Sequence, residues 1–331
     1  MLLKYMKLSN KKYIRPLRIV IAFLPIVWIL SKIDYDKLSS AIVHTAWWTL
    51  PAIIAITYIS MLVQAHRWWF LIHAFNRDLP FIKAVTIHFK GLFYSIITPT
   101  SAGQDIIRAA ILSKEHDYRI VWGASWICRL FGLFASALLS IYGIYSIDKG
   151  IVPSQAITII SISFFSVCAL ILLSFTKGIT RLLRPAFLKF LPEKLKKIAV
   201  EIREGIYIYK EKKRELIIVF IITFLLQFII ITNSCFLILG ISGTFPFLEC
   251  LAFLPIIEII CITLPLTPNG IGVREALLAI FFSYLGLSNE QLGVYIGLGF
   301  ISIALKITGG IPVFLDLINE GRYRSTPQRN A

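Results

Sequence analysis

The chain has 331 residues, of which 57% are hydrophobic and only 16% charged, and its mean hydropathy is +0.77. A soluble domain of that length needs far more polar surface, so the composition excludes one and predicts an all-α polytopic membrane protein. The net charge of +16 sits beside apolar stretches and carries no nucleic-acid motif, so it points to membrane orientation and anionic lipid headgroups, not to nucleic acid.

In chain order, a basic start (Lys4, Lys7, Lys11, Lys12, Arg15, Arg18) leads into the first apolar stretch, 17–31. It has no small-residue cleavage site and reads as a retained helix, not a signal peptide. Further crossings are predicted at 47–65, 120–147, 152–175, 216–239 and 292–315, about six in all. Two more apolar segments, 84–98 and 247–266, each end in a Pro/Gly break followed by a short apolar helix, at 106–112 and 276–285. That pattern predicts two re-entrant broken-helix pairs, tolerated where protein or a water-filled cavity covers the non-helical backbone.

Charge sets the orientation. The loop 32–45 balances its lysines with Asp34 and Asp36 and suits the outside. Arg67, Arg77, Lys83, Lys114 and Arg119 fall inside, and the loop with Asp148 and Lys149 falls outside. The segment 177–214 carries twelve Lys/Arg against four Glu and falls inside, as does the tail with Arg322, Arg324 and Arg329. The expectation is a single transmembrane domain over 1–331 in the cell membrane, with both termini cytoplasmic. Its halves, 17–150 and 216–315, are joined by the basic segment. Within that segment Leu195, Ile198, Ile202 and Ile206 recur at helical spacing between Lys196, Lys197, Glu201 and Arg203. This fits either an amphipathic helix in the membrane interface or a solvated linker.

Each re-entrant break carries the same short unit. Thr98-Pro99-Thr100-Ser101-Ala102-Gly103-Gln104-Asp105 is followed by Arg108, and Thr267-Pro268-Asn269-Gly270-Ile271-Gly272-Val273-Arg274-Glu275 follows about half a chain later. Helix breakers and charges at matching places in two halves point to a transporter binding site. Three crossings lie between the copies, so they enter from opposite faces, as an inverted repeat requires. Asp105 and Arg108 share a helix face, and Arg274 and Glu275 open the second short helix. Broken tips present free N–H groups to phosphate or carboxylate, arginine adds a planar donor fork, and Thr98, Thr267 and Asn269 add neutral hydrogen bonds. The plainer reading pairs Asp105 with Arg274 and Glu275 with Arg108, pinning the halves together.

Other intramembrane charges are Arg129, Glu258 and Lys306. Arg129 is expected to face the interior, against a lipid phosphate, Asp105 or Glu258. Glu258, alone in an apolar run, is either a proton-coupling group or a neutral structural one. Lys306 either snorkels or lines the path. His66 with Arg67, Trp68 and Trp69 reads as an interfacial belt. No G-x-S-x-G, H-E-x-x-H or Walker A pattern is present, so no catalytic residues are assigned. The histidines form no metal-ligand cluster, and Cys128, Cys168, Cys235, Cys250 and Cys261 read as small buried hydrophobes. No metal or cofactor is expected.

At 99–108, Arg129 and 268–275 the chain resembles the transmembrane (flippase) domain family of lysyl-phosphatidylglycerol synthases. The resemblance covers nearly the whole chain, and the second motif is the more specific. The first departs from the family's usual pair of glycines before the acid, reading Ala102-Gly103-Gln104-Asp105. Lys306 corresponds to the family's Arg-like position near the last span. The resemblance implies a stand-alone lipid-translocating module, since no residues follow the last span for the soluble aminoacyltransferase domain. The substrate-binding set would be Thr98, Gly103, Asp105, Arg108, Arg129, Thr267, Asn269, Gly270, Gly272, Arg274 and Glu275. The partners are membrane lipids with anionic or phosphate headgroups, together with lipid-modifying enzymes. The competing reading is an integral-membrane glycosyltransferase, or an accessory of polyprenyl- or dolichol-phosphate glycan assembly.

Overall fold

The computed structural model describes residues 31, 33–96, 98, 103–147, 203–263 and 271–325, with isolated positions between 158 and 172. Among the described residues every regular element is helical. The first half holds α1 (Tyr35–His44), α2 (Thr49–His73), α3 (Phe81–Ser95), α4 (Gly103–Leu112) and α5 (Tyr118–Ser146). A 3₁₀ turn at Tyr209–Glu211 leads into the second half: α6 (Lys213–Ser242), α7 (Phe247–Thr263), α8 (Val273–Tyr284) and α9 (Asn289–Leu305). A 3₁₀ turn (Lys306–Gly309) then joins α9 to α10 (Gly310–Ser325).

Thr49–His73, Tyr118–Ser146, Lys213–Ser242 and the helical stretch Asn289–Asp316 are long and apolar enough to cross a membrane. The chain is an all-α polytopic membrane protein. These four match four of the crossings expected from sequence. Nearly all of the crossing at 17–31 and most of that at 152–175 lie outside the described residues, as does 177–202. On α6, Ile217, Ile221, Leu225, Phe228 and Ile229 are exposed at helical spacing, a stripe that hydrocarbon covers and water would not.

The helix ends follow local chemistry. Asp34 caps α1, accepting from the backbone N–H of Asp36 and Lys37 at 3.1 and 3.4 Å. Asp117 caps α5, accepting from Arg119 N–H at 2.9 Å, and the hydrogen-bonded Arg119 side chain holds its carboxyl below the ordinary range. Ser288 and Gln291 form a reciprocal capping box on α9. The α6 helix stops at Gly243, whose φ of +76° suits glycine.

Both expected broken-helix pairs are helical hairpins. In the first, α3 and α4 approach so closely that a Cβ on Gly91 would lie 3.0 Å from the Gln104 carbonyl oxygen. In the second, Phe253 of α7 stacks on Phe281 and Tyr284 of α8 at 5.2 and 5.7 Å between ring centroids. Each hairpin has its own core. Trp68, Leu71, Ile87, Ala109, Leu112, Ala124 and Ile127 surround the first. Ile238, Leu251, Phe253, Ile257, Leu278, Phe281 and Leu298 surround the second.

The two halves repeat an element order of span, hairpin, span, and their packing is reciprocal. The span after the first hairpin (α5) packs on α7, and the turn and α10 after the second pack on α3. Glycine permits both contacts. A Cβ on Gly143 would lie 2.4 Å from Ala252 N, and one on Gly309 would lie 2.0 Å from Phe89 O. The remaining long spans, α2 and α6, pack on each other.

The bases of the hairpins lie at opposite ends of α6. Loop residue Phe75, beside the first hairpin, meets Tyr209 at 4.9 Å between rings, and Lys212 stands over the same ring at 5.1 Å. These contacts surround the start of α6. The second hairpin begins directly beyond Ser242, and Ala46 N–H donates to Gly240 O there at 2.8 Å. Thirty residues of helix separate the two ends by about 45 Å.

The described end of the basic segment packs on protein. Ile206 and Tyr209 are buried, and the Tyr209 hydroxyl donates to Ile120 O at 3.0 Å. A Cβ on Gly123 of α5 would lie 2.4 Å from Gly205 O. Ile206 and Tyr209 therefore pack on protein, while Leu195, Ile198 and Ile202 lie outside the described residues.

Candidate functional site

The first Thr-Pro unit builds a buried ion cluster. Thr98 folds back over the start of α4, its hydroxyl donating to Ser95 O at 2.8 Å, and a Cβ on Gly103 would lie 1.9 Å from Thr98 Oγ1. Glycine at 103 thus permits the tight return. Asp105 follows in the first turn of α4, and Arg108 lies one turn on. Asp105 forms ion pairs with Arg108 at 2.8 Å and with Arg129 of α5 at 3.3 Å.

Arg108 is enclosed, with 1% of its side chain exposed. Its Nη1 donates to His88 Nδ1 at 3.1 Å, and its guanidinium lies 4.8 Å from the centroid of the Trp68 ring. Guanidinium only donates, so Nδ1 is the acceptor and a neutral His88 carries its proton on Nε2. Trp68 in turn donates to Ser125 Oγ at 2.8 Å. The cluster therefore ties α2, α3, α4 and α5 together.

This pairing differs from the cross-half pairs considered in the sequence. Asp105 finds both arginines within its own half. Glu275, 4% exposed, accepts from the backbone N–H of Gly272 and caps its own helix. Gly272 has φ +89°, a conformation that favours glycine. Trp68 also departs from the interfacial-belt reading, because the face of α2 at that height meets α4 and α5. Arg67 likewise turns inward, donating to Thr223 Oγ1 at 3.1 Å.

A cavity of about 330 Å³ opens between the halves. The first half contributes Thr57, Ser60 and Gln64 of α2 and Gln104 of α4. The second contributes Asn233 and Ser234 of α6, Arg274 of α8, Tyr295 and Ser302 of α9, and Lys306. Gln104 donates to Gln64 Oε1 at 3.1 Å, and the hydroxyls of Thr57 and Ser302 are 3.2 Å apart. Lys306 reaches the cavity where α9 gives way to the 3₁₀ turn. Among the described residues no carboxylate lines this cavity, and neither Arg274 nor Lys306 has a carboxylate partner.

Of the residues expected at the site, the structure brings Arg274 to the cavity. Asp105 and Arg129 line a separate small crevice with Trp122 and Trp126. Glu258 lies on α7 away from both, accepting from Ser136 Oγ and Gln227 Nε2 at 3.4 Å each. Thr267, Asn269 and Gly270 lie outside the described residues. The sequence reading missed Gln64, Asn233, Tyr295 and Ser302. For all but Asn233 the signal is helical spacing of polar residues within apolar spans: Thr57, Ser60 and Gln64 on α2, then Tyr295, Ser302 and Lys306 along the last span. No group of His, Cys, Asp or Glu among the described residues is arranged to hold a metal, and the five cysteines are free.

A protein-family model, the lysylphosphatidylglycerol synthase TM region, matches residues 16–305. The chain belongs to this family. The match spans both hairpins, the ion cluster and the cavity lining up to 305, and Lys306 lies one residue beyond it. No curated protein and no solved structure matches the chain.

Proposed function

We propose that the chain moves an anionic or phosphate-bearing lipid, a phospholipid or a polyprenyl-linked one, between the leaflets of the cell membrane. The observation that carries this reading is the cavity between the halves, where Arg274 and Lys306 stand without a carboxylate among its described lining residues. Two cations in a low-dielectric site favour an anion strongly, and arginine's donor fork suits phosphate. A glycosyltransferase would need a carboxylate at its donor site, and the described lining offers none. Membership in a membrane-lipid family adds support.

The reciprocal packing supports an inverted repeat. The hairpin bases sit at opposite ends of α6, so the hairpins would enter from opposite faces and alternate in closing the cavity. The base beside Lys114, Arg119 and Lys212 is basic and would be cytoplasmic, while that beside Asp34 and Glu290 would face out. Both termini would then lie inside. Glu258, outside the cavity, is the candidate proton-coupling group.

Leaflet exchange of labelled phosphatidylglycerol by purified protein in liposomes tests the reading. Wild type is expected to accelerate exchange, and Arg274→Gln to slow it by about tenfold or more, the loss of one charged hydrogen-bonding group. No acceleration by wild type, or exchange by Arg274→Gln at the wild-type rate, overturns it.

A further inference from the structure

We infer that the cavity between the halves selects a net-anionic phosphodiester headgroup carrying neutral hydroxyls, and rejects a headgroup that carries an ammonium. The inference rests on the lipid-transport reading and narrows its substrate class. It also departs from the lipid in the family's name, since a lysyl ester adds ammonium groups to phosphatidylglycerol.

The first argument is charge. Arg274 and Lys306 both line the cavity, and its described lining contains no Asp or Glu. The sequences between the two helices of each hairpin contain no Asp or Glu: 97–102 reads Ile-Thr-Pro-Thr-Ser-Ala and 264–270 reads Leu-Pro-Leu-Thr-Pro-Asn-Gly. Nearby carboxylates are committed elsewhere. Asp105 is shared between Arg108 and Arg129, and Glu275 holds the Gly272 N–H. An ammonium entering the cavity would meet Arg274 and Lys306 and, among the described lining residues, no counter-charge. A phosphodiester meets two donors whose charge it balances.

The second argument is hydrogen bonding. Asn233 lines the same cavity, together with Gln64, Gln104, Thr57 and Ser302, so its polar lining is made of neutral amides and hydroxyls. A headgroup hydroxyl, which both donates and accepts, matches such groups without adding positive charge. Ser234 and Tyr295 line the same cavity and bring further hydroxyls. The volume of about 330 Å³ lies at the small end of the ~300–1,000 Å³ typical of ligand sites, the size of a headgroup without its acyl chains.

The test is competitive lipid binding to the purified full-length protein, read by native mass spectrometry. The probes are dioleoyl phosphatidylglycerol, its lysyl ester and dioleoyl phosphatidylcholine, with soluble glycerol phosphate as a separate competitor. Phosphatidylglycerol is expected to be retained at least about tenfold better than the lysyl ester, and a variant with both Arg274→Gln and Lys306→Gln is expected to lose that preference. Ser302→Asp, which places a carboxylate in the lining, is expected to shift the ratio toward the lysyl ester by about tenfold. Competition by glycerol phosphate also supports the inference and shows that the headgroup alone is recognised; discrimination among the lipids without it shows that the whole lipid is needed. Equal or better retention of the lysyl ester by wild type overturns the inference without any variant having to fold. Selective binding without leaflet exchange would overturn the transport reading and leave this one standing. Equally fast exchange of the lysyl ester would do the reverse.

Discussion

Arg108 shows how a full charge is held inside this protein. Its ion pair with Asp105, its donation to His88 and its stacking over Trp68 enclose it on three sides. Removing Asp105 would leave a buried guanidinium facing a second arginine, a loss expected to cost about 3–5 kcal/mol. Asp105→Asn should therefore lower thermal stability in detergent markedly. Asp105→Asn combined with Arg108→Met should recover part of that loss, because the double change removes the stranded charge with its partner. A double variant less stable than Asp105→Asn alone would contradict the assignment. Asp105 and Arg108 were legible in the sequence because charges amid apolar residues are conspicuous, and their i, i+3 spacing puts them on one face. Their partners were less so. His88 and Trp68 look like ordinary helix and belt residues, and only the folding of α2 and α3 against α4 brings them to the cluster. Asn233 was illegible for the same reason, since its value lies in a cavity assembled from both halves.

At the scale of elements, glycine decides where helices touch. Gly143 of α5 presses on the backbone of α7 at Leu251 and Ala252, and Gly309 presses on the backbone of α3 at Phe89. Alanine at either position must displace a neighbouring helix and is expected to cost about 1–3 kcal/mol. Gly132 and Gly297 sit in helices where a Cβ would have no neighbour within 4 Å. Alanine there removes backbone freedom from the unfolded chain and is expected to be neutral or to add up to about 1 kcal/mol. Thermal melts of the four single variants check the contrast, and a uniform response would defeat it. The hairpins themselves were legible, because Pro and Gly interrupt an apolar run at a fixed point in each half. Sequence periodicity gave no hint of which glycines are contact points, since all four sit in similar apolar surroundings. The break at Lys306–Gly309 also went unread, because the apolar run continues through it and the turn is set by Gly309 against α3.

At the scale of the molecule, the central question is whether the two halves face opposite sides of a membrane. The contacts make α6 a ruler. Phe75, Tyr209 and Lys212 mark one end, with the first hairpin's base, and Gly240 and Gly243 mark the other, with the second hairpin's base. The span of about 45 Å exceeds the ~30 Å hydrocarbon core of a bilayer, so the two bases would emerge on opposite faces. Thiol labelling of intact cells reads this directly. Lys114 beside the first base and Thr244 beside the second are both exposed. In a background with the five cysteines replaced by alanine, Thr244→Cys should react with a membrane-impermeant maleimide from outside. Lys114→Cys should react only once the membrane is opened, because the basic residues around it would hold the proposed inner face in the cytoplasm. Labelling of both positions from one side would break the inverted arrangement and, with it, the alternating access that the cavity between the halves is proposed to serve. Labelling with the sides exchanged would keep the inversion and overturn only the assigned orientation.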